Sequence, residues 1–270
     1  MKRSLQTKLR LSAMGALPMA GFAALYLLPL GMTFWYATIQ SSFQTTAVGL
    51  DNFAYVWRNS YFLLGLKNLL ILGLVCLLGA AILSLLLAWL LGEHPRLANG
   101  GIALLILPLL IPSVSAVSLW NRVFQADILT PWPVSMLALS TLYWWKCAGP
   151  AAALMHIALA GISQEVLDAA ALDGCNKRQL FFRVRLPMIR NETVLAALFL
   201  LMYYFRIYKE SYLLFGQYPA GALYLVQHYM NNQYMKMNVQ YVSAAAASLV
   251  VICAVFFGGV ALLRERKGRT

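Results

Sequence analysis

The sequence predicts an all-α integral membrane protein: six transmembrane helices, both termini cytoplasmic, and a long cytoplasmic loop between helices 4 and 5. Residues 1–270 read as one transmembrane domain. Three observations predict this. Of the 270 residues 61% are hydrophobic and 11% charged, with a mean hydropathy of +0.69, whereas a soluble chain carries roughly 25% charged residues. Six stretches reach the roughly 20 mostly apolar residues that a bilayer-crossing helix needs. The cations, 21 Lys and Arg against 9 acids, fall mainly on alternate connections.

The first span runs from about residue 17 to 39 and ends in Phe34, Trp35 and Tyr36, rings that suit a membrane interface. Its apolar run exceeds the roughly 7–15 residues of a signal-peptide core, so it is expected to stay in the protein. The second span covers about 62–91 and the third 101–124. Pro108 and Pro112 in the third free carbonyls one turn apart, which is tolerated beside a cavity or neighbouring helix. The fourth covers 133–160, the fifth 193–215 and the sixth 242–263. The outer connections 40–61, 125–132 and 216–241 are too short for a folded domain, so recognition outside the membrane falls to another chain.

Fourteen of the 21 Lys and Arg lie on the termini and on the connections after spans 2 and 4. By the positive-inside bias those segments face the cytoplasm. The net charge of +12 is therefore mainly a topology signal, and no basic patch has a nucleic-acid-binding fold behind it. Cys76 and Cys253 sit in apolar runs, Cys147 near the edge of one and Cys175 in a polar loop. Their spacing matches neither a zinc site nor a disulfide framework, and they read as small apolar fillers.

The cytoplasmic loop 161–190 carries the most local information. Ser163 can cap a short helix whose first turn holds Gln164 and Glu165. Gly174 offers a left-handed stop, and Asn176 with Gln179 three residues on has the form of a capping box. Leu180, Phe181, Val184 and Met188 follow at helical spacing, and Pro187 is expected to disrupt the backbone before the fifth span. Helix–glycine–helix on the inner face of the membrane admits two readings by pattern alone: an amphipathic hairpin that seats the bundle, or a docking element.

Asp168-Ala169-Ala170, three residues, Gly174, nine residues, Val184, one residue, then Leu186-Pro187 resembles the EAA loop. That loop marks the permease subunits of binding-protein-dependent ABC importers, where it reads Glu-Ala-Ala, Gly, Ile and Leu-Pro at the same spacing. The departures, Asp for Glu and Val for Ile, are conservative. Glu165, Leu172 and Asp173 are similar to the sugar (maltose-type) branch, and the resemblance extends over about residues 15–265. It implies an EAA coupling helix docked on a separate ATPase, with Glu165, Asp168, Ala169, Ala170, Asp173, Gly174, Leu186 and Pro187 as the coupling residues. It also implies a second similar permease subunit in a heterodimer, two ATP-binding cassette subunits, an extracytoplasmic solute-binding protein, a sugar substrate and a bacterial cytoplasmic membrane. The chain contains no Gly-x4-Gly-Lys-Ser/Thr phosphate cradle. ATP and its Mg2+ are thus expected on a partner, with no catalytic residue, cofactor or metal on this chain.

Ionisable groups inside spans are costly and therefore candidates for function. Lys146, His156, Arg206, Lys209 and Glu210 are the ones here. Glu210 beside Lys209 reads as an internal pair, and His156 as hydrogen-bonded within the bundle. Tyr143, Lys146, Tyr204 and Tyr208 suit either an interfacial belt or a sugar pocket, in which rings stack on pyranose faces and polar tips bond hydroxyls. The family resemblance points to Ser113, Tyr143, Lys146 and Tyr204 as cavity-lining. Arg206, Tyr208 and Glu210 complete the candidate substrate pathway. Lys146 with Arg206 leaves a neutral, uronate or phosphorylated sugar open. The alternative class is an independent secondary carrier of a small polar solute, disfavoured because Glu210 is the single carboxylate well inside a span.

Overall fold

The computed structural model describes residues 15–16, 18–124, 132–219 and 221–267. The amino-terminal cations Lys2, Arg3, Lys8 and Arg10, most of the predicted outer connection 125–132, and Arg269 lie outside the described residues. Among the described residues the chain is helical throughout, with one isolated bridge, Ile39 to Ala47, in place of any strand. Three helices are long and apolar enough to cross a membrane alone, Pro18–Tyr36, Ser60–Glu93 and Val239–Gly259, and up to six spans result if each of three sharply bent pairs counts as one.

The chain divides into two compact units. The first combines residues 1–63 with 229–270. It holds α1 (Pro18–Tyr36), α2 (Asp51–Arg58), the opening of α3 (Ser60–Glu93) and, from the far end of the chain, α12 (Val239–Lys267). α1 contains a π-helical turn at Ala23–Leu27. α12 packs on α1 and α2 through Tyr55 stacked on Tyr241 at 4.0 Å and Trp57 Nε1 donating to Ser248 Oγ at 3.1 Å. The segment between α1 and α2 is held by buried Asn52, whose Nδ2 donates to the carbonyls of Ala37 (3.0 Å) and Ile39 (2.7 Å). Asn52→Ala strands both carbonyls, each unsatisfied group costing about 1–3 kcal/mol. We expect a loss of about 2–3 kcal/mol on that basis, read as a lower unfolding midpoint of the purified protein, while Asn52→Asp should fare no better because a carboxylate cannot donate.

The second unit is residues 64–228. It takes most of α3, then α4 (Pro95–Leu110), α5 (Ser113–Phe124), α6 (Trp132–Ala160), α7 (Gln164–Leu172) and α8 (Lys177–Met188), followed by α9 (Arg190–Tyr204), α10 (Tyr208–Phe215), a 3-10 turn at Gly221–Leu223 and the first turn of α11 (Val226–Met235). α6 is the central helix, packed on α4, α5 and α9. Its buried face is rich in small residues, with Ala138, Cys147, Ala148, Ala151 and Ala152 all buried, which lets neighbouring backbones come close, as in membrane helix pairs generally. Gly149 brings α6 so near α4 that a Cβ there would collide with the Leu105 carbonyl oxygen.

Several expectations change here. The third span is two helices, α4 and α5, meeting at 94°. Pro112 disfavours the helical conformation for the residue before it, and Ile111 is extended at φ −69°, ψ 126°. The fifth span carries a tight turn at Phe205–Ile207, where Arg206 and Ile207 bond back three residues rather than four. The outer connections 40–61 and 216–241, expected as loops, carry α2 and α11. Polar α11 is nonetheless buried at His228, Tyr229, Asn232 and Gln233.

Candidate functional site

The loop 161–190 folds as helix–glycine–helix. α7 runs to Leu172 and stops in a left-handed turn, with Gly174 at φ +82° and the Cys175 N–H bonded back to the Ala170 carbonyl. Only glycine takes this conformation without strain. Two details depart from expectation. Ser163 stands at the N-cap position with extended backbone but its hydroxyl makes no capping bond. The break before α9 falls at Ile189 rather than at Pro187, which sits inside the short helical turn Leu186–Met188. The capping box at Asn176 and Gln179 forms as read, with bonds of 2.9 and 3.0 Å.

The candidate coupling residues separate by exposure. Glu165, Asp168, Ala169, Asp173, Gly174 and Pro187 are exposed, Leu186 is half-buried and Ala170 is buried on the inner face of α7. Leu172, at 89% exposure, stands out from the end of α7. Gln164 donates to Asp168 at 2.8 Å, which orients that carboxylate along the helix. The bends are 80° from α6 into α7 and 80° from α8 into α9. Between them the loop presents an acidic, partly apolar ridge.

The second cluster lies where α5, α6 and α10 meet. Ser113, the first residue of α5, donates from Oγ to Glu210 Oε1 at 2.8 Å. Lys146 Nζ approaches the same oxygen at 3.3 Å. Lys146 is 2% exposed and Glu210 4%. Glu210 thus pairs with Lys146 across helices, and not with its neighbour Lys209, which is exposed. The ring of Tyr203 lies near both Lys146, at 5.9 Å, and Arg206, at 5.7 Å, within range of cation–π attraction.

The other predicted pathway residues divide. Tyr143 and Tyr204 are buried and meet edge to face at 6.1 Å. Their hydroxyls are spent on backbone, Tyr143 donating to the Leu200 carbonyl and Tyr204 to the Leu69 carbonyl, each at 2.6 Å. Arg206 is exposed, and half-buried Tyr208 packs edge-on to His228 at 4.9 Å. A small void of about 10 Å³ lies at the cluster, lined by Tyr143, Lys146, Tyr203 and Glu210 among others. That is about the least a single water occupies.

Several contacts have no sequence signal. Trp144 donates from Nε1 to the Cys76 carbonyl at 3.1 Å and lies over Gly79, so it packs between α3 and α6. His156 Nδ1 is buried without a partner among the described residues, contrary to the expected hydrogen bond. Outside the predicted spans, His228 is fully buried and accepts the Leu225 N–H on Nδ1 at 3.0 Å. Burial pushes its pKa down to about 4, so the ring stays neutral. Asn68 of α3 donates to the Gly221 and Tyr224 carbonyls, tying the segment before α11 to the bundle.

A helical bundle with membrane-length apolar helices, sharply bent pairs and an exposed helix–glycine–helix element defines a membrane permease. The chain belongs to the family of binding-protein-dependent transport system inner membrane components, whose profile matches residues 80–269. It is 28% identical over 119 residues to a probable ABC transporter permease protein of Bacillus subtilis, a match covering 44% of this chain and 41% of that one. It is 24% identical over 225 residues to a glucose import system permease protein of Saccharolobus solfataricus, covering 77% and 78%. Its fold is similar to a chain in the crystal structure of a bacterial ABC transporter involved in import of the acidic polysaccharide alginate, with a TM-score of 0.78, 19% identity and coverage of 99% and 97%.

Proposed function

We propose that this chain is a permease subunit of an ATP-driven importer that moves a sugar or oligosaccharide across the cytoplasmic membrane by alternating access. The observation that carries this reading is the acidic, exposed α7 ending in the left-handed turn at Gly174, in a chain of the binding-protein-dependent family. In this reading the six spans are α1, α3, the bent pair α4–α5, α6, α9 with α10, and α12, with both termini and the loop 161–190, which holds α7 and α8, in the cytoplasm. α7 docks on a separate ATPase, which binds ATP and Mg2+ and does the hydrolysis, through exposed Glu165, Asp168, Ala169, Asp173 and Gly174, while buried Ala170 seats the helix from behind. A second similar permease, two ATPase subunits and an extracytoplasmic binding protein complete the assembly. The family name supports the binding protein, and relatives that include glucose and diacetylchitobiose permeases support a saccharide.

The Ser113, Lys146 and Glu210 cluster is the substrate-pathway candidate on this subunit. As it stands the ion pair is satisfied internally, so its opening would expose a donor and an acceptor to sugar hydroxyls. Asp168→Lys reverses charge on the docking ridge, and Gly174→Val imposes about 1–2 kcal/mol of left-handed backbone strain. Each is expected to lower ATP-driven transport about tenfold or more, the scale of a coupling free energy, while the complex still co-purifies. The check is uptake into proteoliposomes of the solute that mass spectrometry identifies on the co-purified binding protein. Transport at the unaltered rate in both variants would sink the coupling-loop assignment.

A further inference from the structure

α7 and α8 are held very differently. α7 offers Glu165, Asp168, Leu172 and Asp173 outward, whereas α8 is fastened to the end of α3 by two contacts of matching spacing. On α3 the residues are Trp89 and Glu93, four apart; on α8 they are Phe181 and Arg185, also four apart and inside the π-helical stretch Leu180–Arg185. Residues at this spacing project from neighbouring turns of one helix face. The Trp89 and Phe181 rings meet at 6.0 Å, with Phe181 1% exposed. One turn on, Arg185 Nη1 is 3.2 Å from Glu93 Oε1. Lys177, at the start of α8, reaches the other oxygen, Oε2, at 3.0 Å.

Both oxygens of Glu93 are therefore committed to α8, one to Lys177 at its start and one to Arg185 at the end of its π-helical stretch. The two ion pairs are not equivalent. The Lys177 side chain is largely exposed, and an exposed pair adds little to stability. Its effect is geometric: it fixes the residue that starts α8, three positions beyond the Gly174 hinge. The Arg185 pair is mostly shielded from solvent and fixes the other end. A hinge glycine, a helix before it with an exposed outer face and a doubly clasped helix after it make a lever with one working arm.

We propose that Glu93 is a positioning residue that clasps α8 to α3, so that a displacement of α7 is delivered to the membrane helix α3 rather than lost in the loop. The proposal rests on the coupling-loop reading above. Its test uses the intact complex, purified with its ATPase and reconstituted, and measures the ratio of ATP hydrolysis with and without added binding protein. Glu93→Gln keeps the shape and removes the charge; the ratio is expected to fall about fivefold or more, as for loss of a coupling interaction. Charge reversal, Glu93→Lys with Lys177→Glu and Arg185→Glu, is expected to restore the ratio, which a purely structural role would not require. A full ratio in Glu93→Gln while Asp168→Lys has lost it overturns the clasp and leaves the loop reading intact. A full ratio in Asp168→Lys overturns the loop reading and the clasp with it. Failure of the charge-reversed, assembled complex to recover also overturns the clasp.

Discussion

Replacing Lys146 with methionine should be among the most damaging single changes in this chain, costing about 3–5 kcal/mol. The lysine and Glu210 are both nearly inaccessible and 3.3 Å apart. Removing the cation strands a carboxylate with only the Ser113 hydroxyl as partner, and an uncompensated buried charge carries most of its desolvation penalty. Glu210→Gln should cost comparably, by stranding the ammonium group near Tyr203. The double variant Lys146→Met with Glu210→Leu removes both charges and should regain most of the loss, because an apolar pair of similar volume often equals or exceeds a buried ion pair in stability. The measurement is the unfolding midpoint of the purified protein in detergent. A Lys146→Met protein as stable as the parent would mean that the charge is solvated and the cluster is open. If the cluster serves transport, the stable double variant should still be inactive, which separates the pair's contribution to folding from its contribution to passage.

Gly149→Val is expected to cost about 3 kcal/mol or more, at or beyond the upper end of ordinary overpacking penalties. The reason is backbone against backbone. The added Cβ would strike the Leu105 carbonyl of α4, and a carbonyl within a helix cannot swing aside as a side chain can. α4 would have to move away from α6, taking with it the Pro108 turn and the start of α5, and so the Ser113 hydroxyl. The accompanying readout is therefore loss of transport beyond what protein amount explains. Adding Leu105→Ala should not rescue the variant. Rescue would show that the collision is with the Leu105 side chain, and the account of the α4–α6 contact would be wrong.

What the sequence exposes follows from the range of each interaction. Span 2 is a single apolar run, and the structure returns it as one helix, Ser60–Glu93, two residues longer at each end than read. The turn at Gly174 is legible because a left-handed residue demands glycine, and the capping box because it is settled within four residues. The right-angle bend at Ile111–Pro112 is less so. A proline predicts disruption, but whether the helix kinks or folds back depends on what the next segment packs against. The Lys146–Glu210 pair is 64 residues apart in sequence, so local reading assigns Glu210 to adjacent Lys209. Glu93 and Arg185 are 92 apart and carry no local sign of each other. α11 reads as a loop from its polar composition, yet residues such as His228 find backbone partners and are buried. Periodicity weighs apolar residues and is blind to that compensation.

At 16 and 12 residues, α4 and α5 are about 24 and 18 Å long at 1.5 Å per residue. Neither reaches across the roughly 30 Å hydrocarbon layer, and at 94° their lengths do not add. Released singly into lipid during synthesis, neither could settle as a spanning helix, because the carbonyls bared at the bend would face hydrocarbon, where unsatisfied backbone is not tolerated. We therefore expect the third segment to settle together with α6, which packs on both pieces. On that expectation the bend makes insertion of this region a joint event, and truncation before residue 160 should leave a nascent chain that is recognised as unfinished.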